Sequence, residues 1–159
     1  VTGRSASPPS SADPRGELPH SEFEEIYSKV PRLTVEVVVQ SPLGILLTKR
    51  ASGPCSGLWH IPGGTVRFGE PIRAAVSRVA AMEIGLELHA GPLLGYIEYP
   101  SHYLHGMDSP VGLAFLCQIE GEQFINAGVE HGWFTEPPEP MHAEQVAFLA
   151  EHGLLISKR

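Results

Sequence analysis

The clearest feature of this chain is a change of hydrophobic period. From Leu33 to Gln40 it reads Leu-Thr-Val-Glu-Val-Val-Val-Gln, a β-branched run, and after Ser41-Pro42-Leu43-Gly44 the run Ile45-Leu-Leu-Thr-Lys-Arg50 resumes the extended pattern. Two such runs around a Pro/Gly turn predict a hairpin. Ala51 to Ser56 reads as a loop, Leu58-Trp-His-Ile61 as a short strand, and Pro62-Gly63-Gly64 as a turn. From Pro71 the spacing becomes helical. Ile72, Ala75, Val76, Val79 and Met82 recur three and four residues apart, which predicts one buried helix face. Pro71 suits the first helical position and Gly85 closes the helix.

On either side the same reasoning extends the map. Ser21 to Val30 opens with a capping serine and places Phe23, Ile26, Tyr27 and Val30 at helical spacing, an amphipathic helix lying on the domain. Leu93–Tyr99, Val111–Ile119 and Gly132–Phe134 read as strands, and Ala143–His152 as a closing helix ended by Gly153. Pro100 to Pro110 is a polar loop long enough to be functional. Its His102 and His105, with Tyr99 and Tyr103, are candidates to contact a sugar or a base, set against ordinary surface residues. Trp59 and Trp133 are expected to pack in the core. Strands alternating with helices predict an α/β fold, a mixed sheet between helices in an α/β/α sandwich. Residues 1–18, rich in Ser, Pro, Gly and charge, are expected to be a disordered tail, and 19–159 a single domain.

Composition narrows the function. A formal net charge of −7, with 11 basic residues scattered against 18 acidic ones, argues against nucleic-acid binding. A small phosphorylated ligand remains compatible, because a local arginine cluster and a cation decide what one pocket holds. Cys55 and Cys117 form no ligand pair by spacing, which makes a reduced, cytoplasmic setting the expected one. No apolar run reaches membrane-spanning length and the start lacks a secretory apolar core, so no membrane association is expected.

The candidate chemistry lies around the central helix. Gly63 and Gly64 permit close approach of backbone to a phosphate or cation. Glu83, at the helix end, is a hard oxygen ligand suited to Mg²⁺ or Mn²⁺, or else a surface acid paired with a lysine. Arg78 either neutralises a diphosphate or orients Glu83, and Glu70 caps or braces the glycine segment. Glu130 is a second cation ligand and His131 a proton acceptor near neutral pH, or the two are a solvated loop pair.

Leu46-Leu47-Thr48-Lys49-Arg50, then Leu58-Trp59-His60-Ile61-Pro62-Gly63-Gly64, then Glu70, Arg78, Glu83 and Gly85 at their spacings, resemble the Nudix hydrolases over about Leu33 to Phe134. Two acidic positions usual in that family's box hold Val79 and Met82 instead. The resemblance implies a Nudix-like α/β/α fold, a divalent cation (Mg²⁺ or Mn²⁺) on the Gly63 carbonyl, Glu83 and Glu130, and a small nucleoside diphosphate derivative as substrate. A degenerate box of this kind is similar to the GDP-mannose mannosyl hydrolase branch, in which water attacks the anomeric carbon of a nucleotide sugar. That likeness implies substrate contacts from Glu36, Arg50 and Gly64. The branch's arginine after the glycine pair is replaced by Thr65, with Arg67 as the substitute. Catalytic roles then fall on Glu83, Arg78, Glu130 and His131. Two alternatives stay open, pyrophosphohydrolysis at phosphorus and a nucleotide-binding module with little or no turnover. Homodimers are common in the family, which leaves that assembly open here.

Overall fold

The computed structural model describes residues 17–156. The expected tail therefore falls almost wholly outside the described residues. The strands are β1 (Arg32–Ser41), β2 (Gly44–Lys49), β3 (Trp59–His60), β4 (Gly63–Thr65), β5 (Leu93–Glu98), β6 (Pro110–Cys117) and β7 (His131–Phe134). The helices are α1 (His20–Tyr27), α2 (Ile72–Ile84), α3 (Pro100–Leu104) and α4 (Ala143–Glu151). The principal strand order is β3-β2-β1-β6-β5, with β4 also pairing β1 and β7 also pairing β2. The pairing of β1 with β6 is parallel and the others antiparallel, so the sheet is mixed, as expected.

β1 organises the molecule because all of its side chains from Thr34 to Val39 are buried. Alternation sends them to opposite faces. Val35, Val37 and Val39 join Ala75, Val76, Val79, Ala80 and Ile84 of α2 in one core, whereas Val38 joins Ile45, Leu47, Ile97, Phe148 and Leu149 in a second core beneath α4. The two cores on either face of one sheet produce the layered α/β/α arrangement.

Three local expectations need correction. Gly63 and Gly64 do not form a free turn but sit in β4, where hydrogen bonding to β1 aligns Gly63 with Glu36 and Gly64 with Val35. Met82 is 53% exposed rather than buried, because the apolar stripe of α2 drifts toward Ala80 and Ile84. The Pro100–Pro110 loop contains α3, started by Pro100 at its first turn. The end of α2 behaves as expected, with Gly85 at φ 74°, the left-handed conformation that glycine tolerates best. Among the described residues, no helix is long and apolar enough to cross a membrane.

Candidate active site

Two polar residues interrupt the apolar face of β1 that carries Val38. Thr34 and Glu36 stand two residues apart, so they share that face, and both are almost fully buried, Glu36 at 5% exposure. Two glycines make room for the carboxyl. A methyl group added at Gly63 would lie 2.4 Å from Oε2 of Glu36, and one at Gly112 would lie 2.4 Å from Oε1. The glycine at 63 is thus required first by a protein carboxyl rather than by the approach of a ligand.

A hydrogen-bonded chain holds this carboxyl. The Tyr99 hydroxyl donates to Oε1 of Glu36 at 3.0 Å and the Thr34 hydroxyl donates to the same oxygen at 3.2 Å. Gln145 of α4 donates to the Tyr99 oxygen at 2.9 Å, and its own carbonyl accepts from the Ile61 amide at 2.8 Å. Burial pushes the Glu36 carboxyl up to about 7 although Tyr99, Thr34, Arg32 and Arg50 all favour its ionised form. Charge-stabilising hydrogen bonds do not overcome the loss of hydration. Burial also pulls the neighbouring His60 ring down to about 4, leaving it neutral at physiological pH, with a ring nitrogen 2.8 Å from the Ile61 carbonyl.

Glu36, Arg50, His60, Gly63, Gly64, His102 and His142 line one small pocket of about 70 Å³. That volume accommodates a reacting group with its water, whereas pockets for whole drug-sized ligands span roughly 300–1,000 Å³. Exposed Arg50 stands at this pocket, and its positive charge acts on Glu36, His60, Glu83 and His142 alike. Glu36, Arg50, Gly63 and Gly64 are therefore brought together.

The central helix divides its polar residues between support and solvent. Arg78 donates to both oxygens of Glu70, at 2.6 and 2.9 Å, and to the Thr65 carbonyl at 2.8 Å. The other end of that brace is the Arg67 amide, which donates to Glu70 at 2.9 Å. These contacts occupy the guanidinium and tie the start of the box to α2. They also hold the Glu70 carboxyl below the usual carboxylate range, its hydrogen bond from Arg78 being the largest cause. Gly64 packs directly on the helix, since an added methyl would meet Val79 at 2.9 Å. Val79 itself is 1% exposed and belongs to the core. Glu83 is exposed at the helix end with no hydrogen-bond or ion-pair partner among the described residues. Partial desolvation raises its pKa, while Arg50 and Arg78 oppose that rise.

The remaining sequence candidates lie apart from the small pocket. Arg67 pairs with Glu17 at 3.6 Å and lines a separate cleft of about 790 Å³ with Phe23, Tyr27 and Phe68. Arg78 also borders that cleft, which is largely apolar and contains neither Glu36 nor Glu83. Exposed Glu130 lies 3.3 Å from Lys49, and the His131 ring engages the Val129 carbonyl at 2.7 Å. Trp59 and Trp133 pack against the cores, Trp59 edge-on to Phe134 with ring centroids 4.9 Å apart.

A family model described as the NUDIX domain matches residues 30–152. The chain belongs to the Nudix hydrolase family. The low-salt glycan biosynthesis protein Agl8 of Haloferax volcanii is 36% identical over 135 residues, covering 81% of this chain and 86% of Agl8. An ADP-ribose pyrophosphatase of Methanocaldococcus jannaschii is 31% identical over 98 residues, 62% of this chain and 56% of that protein. The MutT Nudix hydrolase from Burkholderia pseudomallei superposes with a TM-score of 0.60 at 26% identity, covering 75% of this chain and 96% of that one. The MutT protein of Methanosarcina mazei shares the fold with a TM-score of 0.64 at 18% identity, over 76% of this chain and 91% of that one.

Nudix hydrolases act on nucleoside diphosphate derivatives and generally use divalent cations. The donor set of this Nudix hydrolase is sparse. Glu83 is a carboxylate free of protein partners among the described residues, but Val79 is committed to the core and Met82 carries no oxygen. This fits a cation such as Mg²⁺, which retains several waters and completes its shell with substrate phosphates. It does not provide an all-protein cage.

Tyr99, a sequence candidate for contact with a sugar or a base, instead holds the Glu36 carboxyl, and nothing in the sequence marks Gln145, which sits on a helix whose pattern signals packing only. Thr34 and Glu36 did carry a signal, two polar residues at period two on one face of a strand otherwise built of valine.

Proposed function

We propose that this Nudix hydrolase cleaves a nucleotide sugar by attack of water at the anomeric carbon, with a nucleoside diphosphate as leaving group. The observation that carries this reading is a pocket lined by Arg50 and by buried Glu36, an acid pushed up to about 7, with the charge of Arg50 acting both on it and on Glu83, the single free carboxylate of the box. Chemistry at carbon needs a base for water and charge neutralisation on the departing diphosphate, and both requirements are met by this small set. Glu83 and the Gly63 carbonyl would hold a divalent cation, whose positive charge would offset the negative charge of the diphosphate. Arg50 binds the same anion from the pocket mouth. Glu36 takes the proton from water as the new carbon–oxygen bond forms, and the bond from carbon to the phosphate oxygen breaks with its electron pair leaving on the diphosphate. A carboxyl with a pKa near the working pH is well matched to that transfer. Similarity to Agl8, named for glycan biosynthesis, also favours a sugar-bearing substrate.

In this reading Arg78 and Glu70 hold the box in shape and do not contact substrate. Gly64 belongs to the wall of the site, where it lets β4 lie close on α2, whereas Arg67 lines the separate apolar cleft. Glu130 and His131 support a second reading, pyrophosphohydrolysis at phosphorus, which similarity to a protein named ADP-ribose pyrophosphatase favours. Hydrolysis of a nucleotide-sugar panel in isotopically labelled water with Mg²⁺ or Mn²⁺ distinguishes them. Label in the released sugar is expected; label in a phosphate product establishes attack at phosphorus and overturns the proposal. Ligand binding without turnover across the panel identifies a binding module.

A further inference from the structure

A second group of ligating side chains adjoins the small pocket, sharing His102 and His142 with its lining. Cys55 comes from the β2–β3 loop, His102 from α3 and His142 from the residue preceding α4, and one ligand atom of each lies within 4.8 Å of the others. They are the one group of three or more His, Cys, Asp or Glu ligands that gathers in this way among the described residues.

The His102 ring shows which atom is offered. Its Nδ1 lies 3.0 Å from the Asp108 carboxylate, which also pairs with Arg32. A carboxylate so engaged accepts, so Nδ1 carries the hydrogen and Nε2 is the nitrogen left to offer a lone pair to a metal. That nitrogen is buried with no hydrogen-bond partner. Buried polar atoms rarely remain unsatisfied, and an imidazole oriented by a carboxylate is the common outer-shell arrangement of a metal-binding histidine. The His142 ring, in a residue only 8% exposed, also has no hydrogen-bond partner among the described residues, and its centroid is 5.6 Å from that of His102.

We propose that Cys55, His102 and His142 bind one transition-metal ion per chain, zinc being the best fit. One sulfur and two imidazole nitrogens select zinc-like ions over Mg²⁺ and Mn²⁺, which prefer oxygen. In a tetrahedral site such donors stand about 3.4–3.6 Å apart given ordinary metal–ligand lengths, so closure requires a movement of at most about 1 Å. The Cys55 loop is flanked by Gly53 and Gly57, both in the left-handed region, and it is the element placed to make that adjustment. Three protein ligands leave a fourth position for water or a ligand group. His102 and His142 also line the pocket of Glu36 and Arg50, so the ion borders the reaction site while remaining separate from Glu83. Metal binding here does not depend on the hydrolytic reading above.

Cobalt(II) titration of the purified full chain, without nucleotide, tests the site by absorbance. The expected result is a thiolate-to-cobalt charge-transfer band and the intense visible bands of a tetrahedral ion that together saturate at one equivalent and are lost when zinc displaces the cobalt. Cys55→Ser is expected to abolish the charge-transfer band, and His142→Gln and Asp108→Asn to weaken binding about 10–100-fold. Cys117→Ser and Glu83→Gln are expected to leave the spectrum unchanged, with circular dichroism confirming that every variant is folded. Absence of the bands in the native chain overturns the proposal. So does a charge-transfer band that survives Cys55→Ser or disappears in Cys117→Ser.

Discussion

Replacing Glu36 by glutamine probes the centre of this site through stability as well as activity. The amide is nearly isosteric and its carbonyl can still accept from Tyr99 and Thr34, so the hydrogen-bonded chain is retained while the ionisation is removed. In the folded protein the carboxyl titrates at about 7, against 4.5 for the ordinary value. A raised folded value means that the unfolded chain releases this proton first. The stability tied to the neutral acid is fully present below pH 4.5 and is lost as the pH rises through 7. At about 1.4 kcal/mol per pH unit the full loss is about 3 kcal/mol. For a chain of this size that corresponds to roughly 6–12 °C in Tm. Unfolding of the native protein and Glu36→Gln, followed from pH 4 to pH 8, is expected to show the variant gaining about 3 kcal/mol on the native protein across that range. A difference that stays constant with pH would falsify the argument, because it would mean that the carboxyl is as well hydrated in the fold as in the unfolded chain. The same variant is expected to lose the limb of the kcat/KM profile near neutral pH.

Further predictions concern the frame around the site. Arg78→Met leaves the largely buried Glu70 carboxylate unpaired and is expected to cost about 2–3 kcal/mol in denaturant unfolding, with Arg78→Lys recovering little because one ammonium cannot reproduce the guanidinium contacts. Gly64→Ala is expected to destabilise by about 1–3 kcal/mol through its clash with Val79, and adding Val79→Ala should restore part of that loss in a double-mutant cycle. Val79→Glu, which restores an acid usual in the family, is expected to lower stability by several kcal/mol because it places a carboxylate in the core. Met82→Glu is expected to leave Tm within a few degrees and to raise Mg²⁺ affinity in a calorimetric titration, since position 82 is already exposed.

What was legible in the sequence follows from how local each signal is. The valine run of β1, the Pro/Gly turn before β2 and the helical stripe of α2 each depend on a few consecutive residues, as do the motif residues that carry the resemblance to the Nudix family. The box glutamate and glycines were legible for the same reason. Their roles were not. Met82 fits the stripe of α2 as well as its neighbours do, and only packing shows that the buried face runs instead through Ala80 and Ile84 and leaves it outside. Arg78 reads equally well as a phosphate ligand and as a brace until Glu70 and the Thr65 carbonyl are seen to surround its guanidinium.

Sequence by itself determined the longer strands and helices and their order, though not β4 or α3, together with the glycine at the end of α2 and the absence of two acids from the box, all properties of neighbouring residues. Tertiary structure decided the chemistry. Glu36 and Gly112 are 76 positions apart, yet strand pairing sets a carboxyl where a methyl group on that glycine would stand. The ionisation of Glu36 depends on how thoroughly water is excluded by Tyr99, Gln145 and the two glycines, and Cys55, His102 and His142 share no spacing that marks them as a group. Burial and convergence arise only when distant segments pack, because hydration and Coulomb forces depend on separation in space, not along the chain.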